Sequence, residues 1–156
     1  MRIALYQPEI AGNVGAVLRT AACLATAVDL IEPMGFRWDD RRVARAGMDY
    51  IDHVAVARHR DWDAFAAQVN GRLVLLTTRG ATPLHEFAFA DGDVLLFGQE
   101  GAGVPDAVHA RADARVVIPM APAVRSLNLG VSVAIVLAEA LRQTGGWPSA
   151  ALDRSS

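Results

Sequence analysis

Little in this sequence offers a covalent or metallic anchor. It holds one cysteine, Cys23, so no internal disulfide can form, and a reducing compartment is the expected setting. His53, His59, His85 and His109 stand apart from one another and from any carboxylate cluster with ligand spacing. They read as surface or packing histidines, and no metal is expected. No basic region leads into an apolar stretch and cleavage site; a strand-like run begins at Ile3 instead. The longest apolar run, Leu127 to Leu141, is interrupted by Asn128, Ser132 and Glu139. It is too short and too polar to span a membrane and reads as a buried helix. A cytoplasmic location is the expectation.

Lysine is absent as well: all fifteen basic residues are arginine, and the formal net charge is −2. That balance counts against a non-specific polyanion binder, which draws its affinity from neutralising phosphates. Arginine is nevertheless the better bidentate phosphate ligand. It clusters at Arg37, Arg41, Arg42 and Arg45, and again at Arg58 and Arg60. Each of these reads equally as a solvated charge on a surface helix.

What is present is enough apolar material for a core. Hydrophobic residues make up 53% of the 156 and charged ones 21%, which suits one folded domain without long disorder. The expected division is a domain over 1–146 and a loosely attached tail over 147–156. Short apolar runs predict strands at Ile3–Gln7, Val28–Glu32, Val54–Ala57, Leu73–Thr77, Val94–Phe97 and Arg115–Ile118. Helices are predicted from near Asn13, Asp39, Asp61 and Pro105, with a last one over Asn128 to Gln143. Asp39 and Asp61 suit caps, Pro105 suits a first turn, and Gly145 suits a helix end. The alternation predicts an α/β fold, a largely parallel sheet with helices on both faces.

Ligands of such sheets bind at the carboxyl ends of the strands, which directs attention to three junctions. The first runs Pro8-Glu9-Ile10-Ala11-Gly12-Asn13-Val14-Gly15 and on to Arg19, one helical turn beyond Gly15. Gly12 and Gly15 permit close backbone approach, and Asn13 suits a helix cap. With Glu32 at the end of the second strand, this loop hints at a nicotinamide-dependent oxidoreductase, but the full G-x-G-x-x-G fingerprint is missing. Alone, it reads equally as a structural turn or a cofactor loop. The second junction, Phe97-Gly98-Gln99-Glu100-Gly101-Ala102-Gly103, sets the Glu100 carboxylate among three glycines, where a ligand could reach it. The third, Ile118-Pro119-Met120 through Ser126-Leu127-Asn128, is a proline-stiffened loop entering the last helix, and both Ser126 and Asn128 are good capping residues.

Taken together, the junctions resemble the three motifs of the SPOUT (trefoil-knot) RNA methyltransferases over nearly the whole chain. The resemblance rests on Asn13-Val14-Gly15 with Arg19, Phe97-Gly98-Gln99-Glu100, Ile118-Pro119-Met120 and Ser126-Leu127-Asn128-Leu129. Ile31-Glu32-Pro33-Met34-Gly35-Phe36, Trp38-Asp39-Asp40 and Arg45-Ala46-Gly47-Met48-Asp49-Tyr50 look like the small single-domain subgroup that methylates the ribose of a tRNA wobble nucleotide, cytidine or modified uridine. The resemblance implies a deep C-terminal trefoil knot, an exception to the rule against threaded chains. It implies a homodimer acting on tRNA, and S-adenosylmethionine as methyl donor, held by Leu76, Thr77, Gly98, Ile118, Met120 and Ser126. It assigns catalysis to Arg19, with Asn13, Glu100, Ser126 and Asn128 organising the site. Arg41 and Arg45 become candidate RNA contacts.

Arginine stays protonated in proteins, so the expected role of Arg19 is to hold a phosphate and stabilise a developing alkoxide rather than to act as a base. The sequence departs from the family pattern in three places: Ile10-Ala11-Gly12 where prolines are common, Gly101-Ala102-Gly103 where some members carry a basic residue, and Gly130 where a larger residue is common. These leave the choice of tRNA open. Two rivals stand beside this reading, a knotted RNA-binding protein without catalysis and the oxidoreductase. The joint presence of Arg19, Glu100, Ser126 and Asn128 disfavours the first, and the incomplete fingerprint with the unexplained second and third junctions disfavours the second.

Overall fold

Strands buried on both faces carry nearly continuous apolar runs, and the first, second, fourth and sixth strands of this chain do so. The computed structural model describes residues 1–38, 50–79, 81–124 and 126–149. Its strands are β1 (Arg2–Tyr6), β2 (Ala27–Ile31), β3 (Val56–His59), β4 (Leu73–Leu76), β5 (Thr82–Pro83), β6 (Val94–Phe97) and β7 (Ala114–Val117). The helices are α1 (Ala11–Cys23), α2 (Trp62–Ala66), α3 (Asp106–Arg111) and α4 (Leu129–Thr144), with 3-10 turns at Tyr50–His53 and Leu84–Glu86. The strands form one sheet in the order β3-β2-β1-β6-β4-β7-β5, every described pairing parallel.

The period-two alternation of each strand divides the core. Ile3, Leu5, Leu95 and Phe97 join Val14, Leu18, Val133 and Leu137 of α1 and α4 on one face. Ala4, Tyr6, Leu96 and Leu75 join Phe65 of α2 and Val108 of α3 on the other. Helices therefore cover both faces, as the sequence predicts. Among the described residues, no helix is long and apolar enough to cross a membrane, and no group of three or more histidines, cysteines or carboxylates could hold a metal ion.

Helix boundaries follow local chemistry. Asp61 caps α2, accepting a 2.7 Å hydrogen bond from the Ala64 amide. Asn128 caps α4, accepting from the amides of Gly130 and Val131, and Gly145 ends it in the left-handed region at φ 66°. Asn13 does not cap α1. That helix starts at Ala11, its N-cap position is Ile10, and no side chain caps it; the Asn13 amide is engaged elsewhere. The third strand lies two residues beyond its predicted span, at Val56–His59 rather than Val54–Ala57, because its register is set by pairing Val28–Ile31 with Val56–His59. The buried His59 ring accompanies this shift, its Nε2 lying 2.8 Å from Asp29 Oδ1, while Arg2 clamps the same carboxylate at 2.7 and 2.9 Å. The helix predicted from Asp39 lies outside the described residues.

Candidate active site

The carboxyl ends of β4, β6 and β7 open into one cavity of about 630 Å³. Its size falls within the roughly 300–1,000 Å³ typical of small-molecule sites. Leu76 and Thr77 reach it from the end of β4, Gly98 and Glu100 from the β6 loop, and Ile118 and Met120 from the β7 loop. Ser126 and Asn128 line it at the entrance to α4, and Asn13 from the first turn of α1. Nine of the residues singled out by sequence thus meet at one place.

Why the β6 loop needs its glycines is visible in its closure. The Gln99 amide donates to the Gly103 carbonyl at 2.8 Å, and the Gly103 amide donates back to Gln99 at 3.0 Å. A Cβ on Gly98 would stand 2.5 Å from the Gly103 carbonyl carbon, and Gly103 itself has φ 69°. These two positions serve the fold of the loop. Their consequence for the site is indirect: the closed loop aims Glu100 back across the sheet towards α1.

There a chain of hydrogen bonds links three distant segments, and its polarity is fixed from one end. Backbone amides can only donate, so the Asn128 atom facing Gly130 N and Val131 N is the oxygen. Asn128 Nδ2 therefore donates, and it does so to Asn13 Oδ1 at 2.9 Å. Asn13 Nδ2 in turn donates to Glu100 Oε1 at 3.0 Å. The other carboxylate oxygen, Oε2, accepts from the Glu9 amide at 2.9 Å, while Glu9 Oε2 accepts from the Gly101 amide at 2.7 Å. Both oxygens of Glu100 are committed, so the residue anchors the Asn13 and Asn128 amides in one orientation. Ser126 is exposed at the cavity wall.

Not every candidate joins this cluster. Arg19 is exposed on α1 with its guanidinium 5.3 Å from the Tyr50 ring centroid, and it does not line the cavity. Arg41 and Arg45 lie outside the described residues. Within the other arginine cluster, Arg58 donates to Glu32 Oε1 at 2.6 and 2.9 Å and lies over Trp38, and Arg60 pairs with Asp61 at 3.2 Å. Glu32, the acid of the oxidoreductase reading, is thus bound to a neighbouring strand.

Two cavity residues, Arg79 and His109, are not among the site residues singled out by sequence. Arg79 donates to Asp106 Oδ1 at 2.8 Å, tying the β4 loop to the first turn of α3 and holding the Asp106 carboxyl below the usual carboxylate range, first through that hydrogen bond and then through charge. His109, which reads as an ordinary packing histidine, lines the cavity from α3. Arg79 follows directly on the Thr77-Thr78 pair and could have been suspected from that alone.

Solved and sequenced relatives share this arrangement of chain. The tRNA (cytidine(34)-2'-O)-methyltransferase of Beijerinckia indica subsp. indica is 54% identical over 146 residues, covering 92% of this chain and 91% of the relative. A structure giving structural insights into the 2-OH methylation of C/U34 on tRNA superposes with TM-score 0.87 at 43% identity, over 91% of this chain and 94% of its own. The AdoMet-bound rRNA methyltransferase of Sinorhizobium meliloti superposes with TM-score 0.83 at 27% identity, over 90% of this chain and 55% of its own. The resemblance to the SPOUT enzymes carried by the three junctions thus extends to the whole fold, and the oxidoreductase reading falls. The model of the SpoU rRNA Methylase family matches residues 1–138, and the chain belongs to that family.

Proposed function

We propose that this protein transfers the methyl group of S-adenosylmethionine to the ribose 2'-hydroxyl of a tRNA wobble nucleotide, a cytidine or a modified uridine. The observation that carries the reading is the single cavity in which the Glu100–Asn13–Asn128 chain faces the strand-end loops. Its walls suit the methyl donor: apolar strand residues such as Leu75 and Val116 on one side, loop backbone and side-chain amides on the other. Leu76, Thr77, Gly98, Ile118, Met120 and Ser126 would hold that molecule. When bound, it supplies a methyl group on a sulfonium leaving group that is already activated by its charge.

The protein's contribution is alignment, the largest available term for joining two bound reactants. The Glu100–Asn13–Asn128 chain presents fixed amides at the polar rim, and Ser126 offers a hydroxyl through which the ribose proton can pass to water. Arg19 holds the phosphate beside the target ribose and stabilises the developing alkoxide. Its place outside the cavity wall fits a homodimer in which the partner subunit's Arg19 completes the site. Exposed Leu127, Val131 and Ile135, four residues apart along the chain into α4, support that assembly (39%, 47% and 38% exposed). Arg41 and Arg45 are the proposed further contacts to tRNA, and a cytoplasmic location follows from that substrate. The threaded C-terminal knot belongs to the same reading. It is supported by Ile118, Met120 and the Ser126–Leu129 segment, which line the cavity together with the loops after β4 and β6 before α4 packs on α1.

The test is incubation with labelled S-adenosylmethionine and tRNA lacking wobble ribose methylation, the label then being mapped by nuclease digestion and mass spectrometry. Label on the wobble 2'-oxygen, lost in Arg19→Ala, is the expected result. Methyl-donor binding without transfer to any such tRNA overturns the reading in favour of a non-catalytic RNA-binding protein.

A further inference from the structure

We propose that Glu9 is a positioning residue for methyl transfer, its carboxylate fixing the β6 loop so that Glu100 meets Asn13. The inference rests on the methyltransferase reading above, and it concerns a residue that does not line the cavity. Gly98, Gly101 and Gly103 surround Glu100 in its loop, which therefore has little side-chain bulk of its own to brace it. The bonds between Gln99 and Gly103 close the loop on itself and tie it to no other segment. The direction of the Glu100 carboxylate is set from outside.

The outside ties come from the residues that follow β1. The side-chain amides of Gln7 and Gln99 meet at 3.0 Å, and Glu9 Oε2 accepts from the Gly101 amide at 2.7 Å. Gln7 and Glu9 thus hold the residues on either side of Glu100. The Glu9 amide completes the clasp by donating to Glu100 Oε2 at 2.9 Å, while Glu100 Oε1 accepts from Asn13 at 3.0 Å. A carboxylate accepting from a backbone amide makes a shorter and stronger bond than a neutral pair does.

The clasp is itself braced. Gly35, in the loop after β2, donates its amide to the Pro8 carbonyl at 3.0 Å. A Cβ on Gly35 would stand 2.8 Å from Glu9 Cα and 2.9 Å from the Glu9 carbonyl oxygen, so glycine is what lets the two loops meet this closely. Glu9 is held by its backbone against Gly35 and by its amide and carboxylate to the β6 loop.

Stability does not account for a carboxylate placed here. Glu9 and Gly101 are both exposed, and one hydrogen bond in competition with water contributes little. Its effect falls on the placement of the rim, where an error of about 1 Å can cost about 10²-fold in rate.

The experiment is single-turnover transfer by the full-length protein, with labelled S-adenosylmethionine and tRNA lacking wobble ribose methylation. Glu9→Ala should slow transfer about tenfold, less than a break in the rim chain itself, because the Glu9 amide still holds Glu100. Its melting temperature should stay within about 3 °C of the parent. Glu9→Gln keeps an oxygen for the Gly101 amide and should retain the rate within about twofold. In an Asn13→Ala background, Glu9→Ala should cost no further rate, because its route to the reaction is gone. Parental transfer by Glu9→Ala would overturn the proposal. So would Glu9→Gln as slow as Glu9→Ala, or a Glu9→Ala loss that persists in full without Asn13. Glu9→Ala should also move the Asn13 side-chain amide resonances in a nitrogen–proton correlation spectrum, and unmoved resonances would overturn the clasp whether or not transfer is seen. No transfer by the unaltered protein, with those resonances moved, would overturn the methyltransferase reading and not the clasp.

Discussion

Asn128 serves two ends of the molecule at once, and two substitutions separate them. Asn128→Ala removes the α4 cap, worth about 1 kcal/mol, and leaves Asn13 Oδ1 without its donor, worth about 1 kcal/mol more. A total near 2 kcal/mol lowers the melting temperature by about 4–8 °C for a domain of this size. Asn128→Asp keeps an oxygen facing the Gly130 and Val131 amides, and a carboxylate at a helix N-terminus contributes about 0.3–1 kcal/mol. It cannot donate to Asn13. The Asn13 amide then either sets its oxygen against the new carboxylate or flips and sets that oxygen against Glu100 Oε1. One acceptor faces another in both cases. Stability should stay within about 1 kcal/mol of the parent, whereas methyl transfer measured in single turnover should fall by about 10²-fold through misplacement of the rim. Urea denaturation and quenched-flow transfer assays read the two effects. An Asn128→Asp protein that transfers methyl groups at the parental rate would refute the fixed polarity of the chain.

Gly98→Ala forces a methyl group to within 2.5 Å of the Gly103 backbone. The β6 loop should open, at a cost of about 1–3 kcal/mol, and S-adenosylhomocysteine affinity should drop; unchanged affinity would show that loop closure is irrelevant to binding. Arg72→Ala strips the buried Asp93 carboxylate of its bonds at 2.9 and 2.8 Å. Arg72 is itself partly exposed and Asp93 keeps its bond from the Ala90 amide, so the loss should be about 1–3 kcal/mol, and a loss below 1 kcal/mol in denaturant titration counts against that pairing. Glu139 is held down to about 2, from 4.5, first by its hydrogen bond from Arg142 and then by that from Gln143. A depressed carboxyl contributes stability that is full above 4.5 and disappears as the pH falls through about 2. The melting-temperature difference between the parent and Glu139→Gln should therefore narrow on acidification through that window, and a constant difference would contradict it.

The strands at Ile3, Val28, Leu73 and Val94 were legible because both sheet faces are covered, which writes them as continuous apolar runs. β5 was not. It has two residues, one of them Pro83, and its pairing with Val116 and Val117 leaves no periodic trace. β3 was misplaced by two residues because His59 looks like a surface residue until Asp29 is known to sit beside it. Local rules found the cap at Asn128 and failed at Asn13, where the amide is drawn out of capping by a carboxylate 87 positions away. Each rim residue was visible singly, whereas the bonds joining them are long-range and carry no local signature. His109 had no signature at all, since its place on the cavity wall is set by where α3 packs.

The sheet order also fixes a timetable for the growing chain. β1 and β4 do not pair with each other; both pair with β6, which enters between them. Until Val94–Phe97 has been synthesised, β1 lacks one neighbour and β4 has no link to the strands made before it. The bond between Asn13 and Asn128 spans 115 positions, so the rim closes only when α4 begins to form. Such distant pairings make for slow folding, because chain entropy is lost before the contacts that offset it exist. A nascent chain halted before Asn128 should therefore hold most of its sheet and be unable to retain the methyl donor, with competence arriving in the last stretch of translation.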